Sequence, residues 1–114
     1  MLVKRVYEHV IIRAPLDVRK YLDYFNETLA ELSAMYDGHV FKPGFEGDVV
    51  KRVEEEVPFR EVYFPAVVDN ILFLSGYDTG GTLKNEFIRK SQSAYDICKR
   101  NDEKKARYIK KVWW

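Results

Sequence analysis

The chain has few of the residues on which many catalytic and metal sites depend. Its 114 residues include one cysteine, Cys98, and two histidines, His9 and His39, which lie 30 positions apart. A single cysteine cannot form an internal disulfide, and the spacing of these three residues resembles neither a zinc site nor a nucleophile with its base. We interpret Cys98 as a small buried side chain. The sequence predicts no catalytic residue, no metal site and no cofactor.

Long apolar segments and a strong excess of one charge are also missing. The most apolar stretch, residues 62–74, is interrupted by Pro65, Asp69 and Asn70, whereas a bilayer span needs about 20 apolar residues. The first residues lack the apolar core of a signal peptide. The formal net charge of +1 argues against a protein whose whole surface binds nucleic acid. These features favour one domain, made in the cytoplasm, without a membrane segment.

The carboxyl end is the most distinctive part of the chain. Residues 99–114 carry seven basic and two acidic side chains, a net charge of +5, so residues 1–98 carry −4. An indole buries about 200 Å² when it docks, and tryptophan and tyrosine are enriched among the residues that dominate binding at interfaces. We predict that the end of the chain inserts into another protein. The predicted partner-binding residues are Arg107, Tyr108, Ile109, Lys110, Lys111, Val112, Trp113 and Trp114.

Two other interpretations of this tail stay open. The tail would fold back onto the protein's own core if its indoles found a pocket there. Alternatively, the protein is a small nucleic-acid-binding module, in which the basic residues bind phosphates while Tyr108, Trp113 and Trp114 stack on bases. Salt-dependent binding to DNA would distinguish this second alternative from docking on a protein.

The periodicity of apolar residues predicts a mainly α fold. Apolar side chains recur every three or four positions over residues 15–36, with Pro15 expected in the first turn, and Asp37 and Gly38 are expected to end this helix. Residues 2–12 fit a helix or a strand, and we favour a short helix. Residues 38–57 contain several glycines and a proline, which predicts extended arms or a β-hairpin.

Two further helices are predicted in the second half of the chain. The apolar segment 62–74 indicates a central buried helix, which Pro65 either kinks or begins. After a glycine-containing turn, Thr82 is expected to cap a last helix. These helices should pack antiparallel, with the helix of residues 15–36 across them. The predicted organisation is a small helical bundle domain at residues 1–100, followed by a basic, Trp-terminated C-terminal arm at residues 101–114.

Other polar and aromatic residues favour structural roles. Residues 76–84 resemble a phosphate-binding loop only superficially, since they follow a helix and lack the required spacing, so we interpret them as a helix cap. Glu54, Glu55 and Glu56 are expected to form a solvated charge run. Asp69 lies in an apolar helix and is expected to pair with an Arg or Lys. The fourteen aromatic residues before the tail exceed what so small a bundle should bury, which predicts a protein neighbour.

Four segments, in their order along the chain, are similar to one known family. Pro15–Leu32 contains Leu-x-x-Phe-Asn-Glu-x-Leu, Val57–Tyr63 begins Val-Pro-Phe, Asp69–Gly76 is an apolar helix end, and Asn85–Tyr95 contains Phe-x-x-Lys-x-x-x-Ala-Tyr. Together with the basic tail that ends in tryptophan, these motifs resemble the neck adaptors of tailed phages and prophages. Pro65 and the pair Gly80-Gly81 depart from that pattern.

The resemblance implies a virion structural protein and no enzymatic activity. Proteins of that family complete the head and connect it to the tail: helical protomers, commonly twelve, form a ring beneath the portal protein and bind a tail-side neck protein. DNA passes through their channel without specific binding. By similarity, the residues that dock on the portal would be Tyr108, Ile109, Val112, Trp113 and Trp114. The expected location is the neck of the virion, after synthesis in the host cytoplasm.

Overall fold

Four α-helices form most of the protein in the computed structural model, which describes residues 1–77 and 80–113, with side chains as far as Arg107. A 3-10 turn at Glu61–Tyr63 precedes the third helix. The predicted mainly α class and small helical bundle are confirmed. The helices are α1 (Val3–Ile11), α2 (Val18–Met35), α3 (Phe64–Leu74) and α4 (Thr82–Trp113).

The segment that fitted either a helix or a strand is the helix α1. Val3, Val6 and Val10 recur every three or four residues and form its buried face. The first backbone N–H groups of a helix have no partner within it. In α1, the N–H groups of Val3 and Lys4 donate to backbone carbonyls of residues 55 and 53, at 2.9 and 2.8 Å. The prediction of a short helix is confirmed, and the neighbouring loop completes its first turn.

The helix α2 begins three residues later than the sequence indicated. Asp17 is its N-cap, and the carboxylate accepts a hydrogen bond of 2.9 Å from the backbone N–H of Lys20. Pro15 therefore lies before the helix, and its predicted place in the first turn is wrong, because the capping carboxylate sets the boundary. The buried face of α2 comprises Tyr21, Phe25, Thr28, Leu29 and Leu32.

Residues 38–57 are extended but form no β-hairpin. The described residues contain only two isolated β-bridges, Leu2–Glu56 and Phe41–Phe59. The backbone of this segment bonds to other parts of the protein, including the first turn of α1 and the side-chain amide of Asn26 on α2. The extended alternative is confirmed and the hairpin is wrong, because these groups occupy the donors and acceptors that a facing strand would need.

The charge run Glu54, Glu55 and Glu56 is exposed, as expected for a solvated segment. Two of its members nevertheless hold fixed contacts. The carboxylate of Glu55 accepts hydrogen bonds of 2.7 Å from the backbone N–H groups of Lys51 and Arg52. The carboxylate of Glu56 lies 3.0 Å from the amino group of Met1. Both contacts stabilise the turn that covers α1.

Pro65 marks the start of α3 and does not kink it. It lies in the first turn, where a proline costs no helical hydrogen bond. The helix ends in a Schellman motif: Gly76 has φ +82°, its N–H donates to the Phe73 carbonyl, and the N–H of Tyr77 donates to that of Leu72. Asp78 and Thr79, in the glycine-containing turn predicted to follow this helix, lie outside the described residues.

The last helix, α4, is the longest, with 32 residues, or about 48 Å. Thr82 is its first residue, and the Gly81 carbonyl accepts from the N–H of Asn85, so the predicted capping role of Thr82 is wrong. The helix packs mainly against α3 through a face that includes Phe87, Ala94 and Cys98. The expected burial of Cys98 is confirmed. Residues 101–113, the predicted arm, continue the same helix.

The aromatic residues before the tail are accommodated within the protein. Of the fourteen, only Tyr77 is exposed, and five are completely buried. Others cover one another in pairs: Tyr36 stacks on Tyr95 at 4.7 Å between ring centroids, and Phe41 lies 4.7 Å from Phe45. The other eight are partly buried. The protein neighbour that was inferred from the number of aromatic residues stays a prediction.

Candidate partner-binding surface

The C-terminal part of α4 extends beyond the body of the protein. From Lys99 to Arg107 every side chain is exposed except that of Asp102, which is partly buried. Asp102 is also the last residue of α4 with a hydrogen bond to the body, among the side chains that the structure describes. The helix therefore projects into solvent after this point.

Two body residues hold Asp102. The Nδ1 atom of His39 donates to its Oδ2 at 2.5 Å, and a guanidinium nitrogen of Arg60 lies 3.0 Å from each carboxylate oxygen. His39 has φ +63°, an unusual backbone conformation for a residue other than glycine. The hydrogen bonds from Arg60, and then from His39, hold the pKa of Asp102 below its usual range. We call these three residues the Asp102 clasp.

We expect Asp102→Asn to increase amide exchange in residues 99–107 at pH 7. The clasp is partly exposed, so its contribution is at most about 1 kcal/mol, which corresponds to up to about a fivefold change in exchange. Because the pKa of Asp102 is lower in the folded protein, this contribution exists above the unfolded value of about 3.9 and is lost as the pH falls through the folded value.

Hydrogen–deuterium exchange of the wild type and of two variants would check this prediction. Glu103→Gln is the matched control, because Glu103 is the next residue and is exposed. The difference between Asp102→Asn and the wild type should also shrink in acid. Equal exchange for Asp102→Asn and Glu103→Gln at pH 7 would show that the clasp does not hold α4.

The predicted partner-binding residues lie at the end of this projection. Arg107 is exposed, and the backbone of α4 continues to Trp113. Residues 103–107 do not pack on the body, so the fold-back interpretation receives no support from them. The other predicted contacts lie outside the described residues, in their side chains or entirely: Tyr108, Ile109, Lys110, Lys111, Val112, Trp113 and Trp114.

The two histidines make unrelated contacts. His9 Nδ1 lies 3.0 Å from the Arg5 carbonyl on its own helix, and the ring meets Phe64 edge-on at 4.9 Å. His39 belongs to the Asp102 clasp. Among the residues that the structure describes, no group of three or more His, Cys, Asp or Glu side chains could hold a metal ion. No helix in the same part of the chain is long and apolar enough to cross a membrane.

The structure contains a second candidate surface, which was not predicted from the sequence. It is a groove between α2 and the extended loop of residues 41–49, with a volume of about 430 Å³. We call it the α2 groove. The small residues Ala30, Ser33 and Ala34 form its floor on the exposed side of α2, and their spacing of three and four is the only signal of it in the sequence. Its apolar lining comprises Leu29, Ala30, Ala34, Phe41, Phe45 and Val49.

Asn26 holds the loop in place beside α2. Its side-chain amide accepts from the backbone N–H of Val50 at 2.8 Å and donates to the Val50 carbonyl at 2.9 Å. A second depression, of about 490 Å³, lies beside it along α2 towards Val18, and Asn26 and Val49 line both. The α2 groove itself follows α2 from Asn26 to Ala34, about 12 Å at 1.5 Å per residue.

Known proteins offer no direct guide to these surfaces. No protein-family model, curated protein or solved structure matches the chain. Inferences about function therefore depend on the projecting end of α4 and on the α2 groove.

Proposed function

We propose that the protein is a structural connector of a tailed-phage virion, without catalytic activity, which forms a ring and docks on the portal protein through its C-terminal arm. The observation that carries this proposal is the projection of α4. Residues 103–107 continue as a helix past the Asp102 clasp, exposed on every side. A partner that approaches this end of the protein therefore meets the arm first.

The physical chemistry of the arm favours a protein partner. The end of a helix that packs against nothing gains little stability from its own sequence, so docking supplies the missing contacts. The exposed cations Lys104, Lys105 and Arg107 would steer the arm towards an acidic surface. The two indoles at the end would then supply the apolar contacts that dominate such interfaces.

The remaining parts of the proposal follow from the resemblance to neck adaptors. The ring would contain about twelve copies by that resemblance, would sit in the neck of the virion, and would also bind a tail-side neck protein. The body, with a net charge of −4 over residues 1–98, would line a channel that DNA crosses without being held. Assembly would follow synthesis in the host cytoplasm.

Imaging of the portal ring of the same virion, mixed with variants of this protein, tests the proposal. The wild type should add a ring to the portal, whereas deletion of residues 107–114 and the double variant Trp113→Ala with Trp114→Ala should add none. The matched control is Lys104→Ala with Lys105→Ala, which should slow docking without abolishing it, because peripheral charges mainly change association rates. Unimpaired rings from the deletion variant would refute the proposed role of the arm.

A nucleic-acid-binding module is the second candidate, because Lys104, Lys105 and Arg107 are exposed and unpaired among the described residues. In that case the double lysine variant would weaken binding to single-stranded DNA, and the slope of affinity against salt concentration would fall by about 1.4, or 0.7 for each lost phosphate contact. Fluorescence anisotropy with a labelled oligonucleotide would measure both quantities. Salt-independent or absent DNA binding would leave the connector as the supported function.

A further inference from the structure

We propose that the α2 groove binds the C-terminal arm of a second copy of this chain when no other partner holds the arm. The occupant is the segment of residues 103–114, which begins immediately after the Asp102 clasp. The inference goes beyond the connector function, because it concerns the purified protein alone and holds whatever the final partner is.

The groove is long enough for the apolar end of the arm. Residues 103–114 would span about 18 Å as a helix, and the groove follows about 12 Å of α2 between Asn26 and Ala34, or about two turns of a docked helix. A helix that docks in a groove presents apolar side chains at spacings of three and four. The sequence places such residues at positions 109, 112 and 113. The small floor residues Ala30, Ser33 and Ala34 would let another helix approach α2 closely.

The charges of the two surfaces are complementary. Asp48 lines the groove, Glu46 lies in the same loop, and Glu27 lies on the turn of α2 that precedes Ala30. No cation pairs with these three carboxylates within the part of the chain that the structure describes. The arm carries unpaired cations, including Lys104 and Lys105, with only Glu103 to offset them. A basic arm and an acidic groove rim attract each other and favour association.

The arm does not lie in its own groove along the part whose side chains are described, because residues 103–107 are exposed. The Asp102 clasp fixes the helix to the body, and the helix continues past it to Trp113 without a turn. The clasp therefore directs the arm away from its own body and presents it to another molecule. Such a contact joins two different surfaces, so repeated copies would form a closed ring or an open chain.

Tryptophan fluorescence and sedimentation of the full chain test this inference together. Trp113 and Trp114 are the only tryptophans, so their emission reports on the arm alone. With rising protein concentration, we expect the emission to shift to shorter wavelength while the weight-average mass rises to at least twice 13.5 kDa. Ala34→Arg should abolish both changes, because an arginine on the exposed groove floor blocks entry. Ser93→Arg introduces the same side chain at an exposed position of α4 outside both the groove and the arm, and should leave both changes intact as the control.

Complementation between two defective variants gives the sharper test. The Ala34→Arg variant keeps its arm but has a blocked groove, and a chain without residues 107–114 keeps its groove but has no anchors. Each should be monomeric alone, and their mixture should form a one-to-one complex with blue-shifted emission. Circular dichroism would confirm that both variants keep the helical fold. A monomeric wild type with solvent-like emission, or a mixture that does not associate, would refute the inference, whereas docking on the portal could still succeed.

Discussion

Replacing Lys90 by methionine is expected to destabilise the protein by roughly 2–3 kcal/mol. The Asp69 side chain is 5% exposed, and its carboxylate accepts a hydrogen bond of 2.6 Å from the Lys90 ammonium. Removal of the cation would leave a buried negative charge without its partner. The expected loss is below the upper range for buried pairs because Lys90 is about one-third exposed, so water can reach part of the site.

Urea unfolding followed by circular dichroism would measure this loss, and two further variants define its cause. In Arg89→Met a cation at the adjacent position is likewise replaced by methionine, but the lost ion pair, with Glu86, is exposed and should contribute under about 1 kcal/mol. The double variant Asp69→Leu with Lys90→Met removes both charges and should recover most of the stability. Equal free energies of unfolding for Lys90→Met and Arg89→Met would mean that the buried Asp69–Lys90 pair contributes no more than the exposed Glu86–Arg89 pair.

Phe59→Ala is expected to cost about 3–5 kcal/mol, the usual range for removal of a buried phenylalanine. Phe59 is completely buried and lies 6.0 Å from Phe25 on α2, measured between ring centroids. It also pairs with Phe41 in an antiparallel bridge, so it holds the extended segment against the helices. Since a domain of this size is stable by only about 5–15 kcal/mol, this loss is a large fraction of the total free energy of unfolding.

Thermal unfolding would check this prediction, with a decrease in Tm of at least about 10 °C expected for Phe59→Ala. Phe45→Ala is the matched control: it removes the same atoms, from the extended segment that Phe59 holds, but Phe45 is only partly buried. Its decrease in Tm should be clearly smaller. A Phe59→Ala protein as stable as Phe45→Ala would show that Phe59 does not connect the segment to the core.

The sequence predicted the helices well because their signals are local. The apolar repeat that defines α2 and the β-branched face of α1 depend on residues three and four positions apart. The pairing of Asp69 with a basic residue was also predictable, since an ionised group in an apolar helix needs a partner. The predictions failed where contacts between residues distant in the sequence determine the local structure. The β-hairpin at residues 38–57 is absent because α1 and Asn26 take its hydrogen-bonding groups.

One hydrogen-bond network between the helices could not have been predicted from the sequence. Asn70 on α3 donates to Thr28 at 2.9 Å and to Glu31 on α2, while the Lys84 ammonium of α4 donates to Glu31 and to the Asn70 carbonyl oxygen. This network joins three helices at positions up to 53 residues apart. Glu31 and Lys84 would look like ordinary surface residues in the sequence, and nothing in it pairs them with Asn70 of the apolar helix.

The sequence by itself determined the helical class, the basic arm on a mildly acidic body, and the two indoles at the end. Periodicity, charge and composition are properties of neighbouring residues, so they need no fold. Only the tertiary structure decided that His39 and Arg60 hold Asp102 and so send the end of α4 into solvent. It also decided that α2 and a loop beside it enclose a groove. Both features join residues of different elements, which only the folded chain brings together.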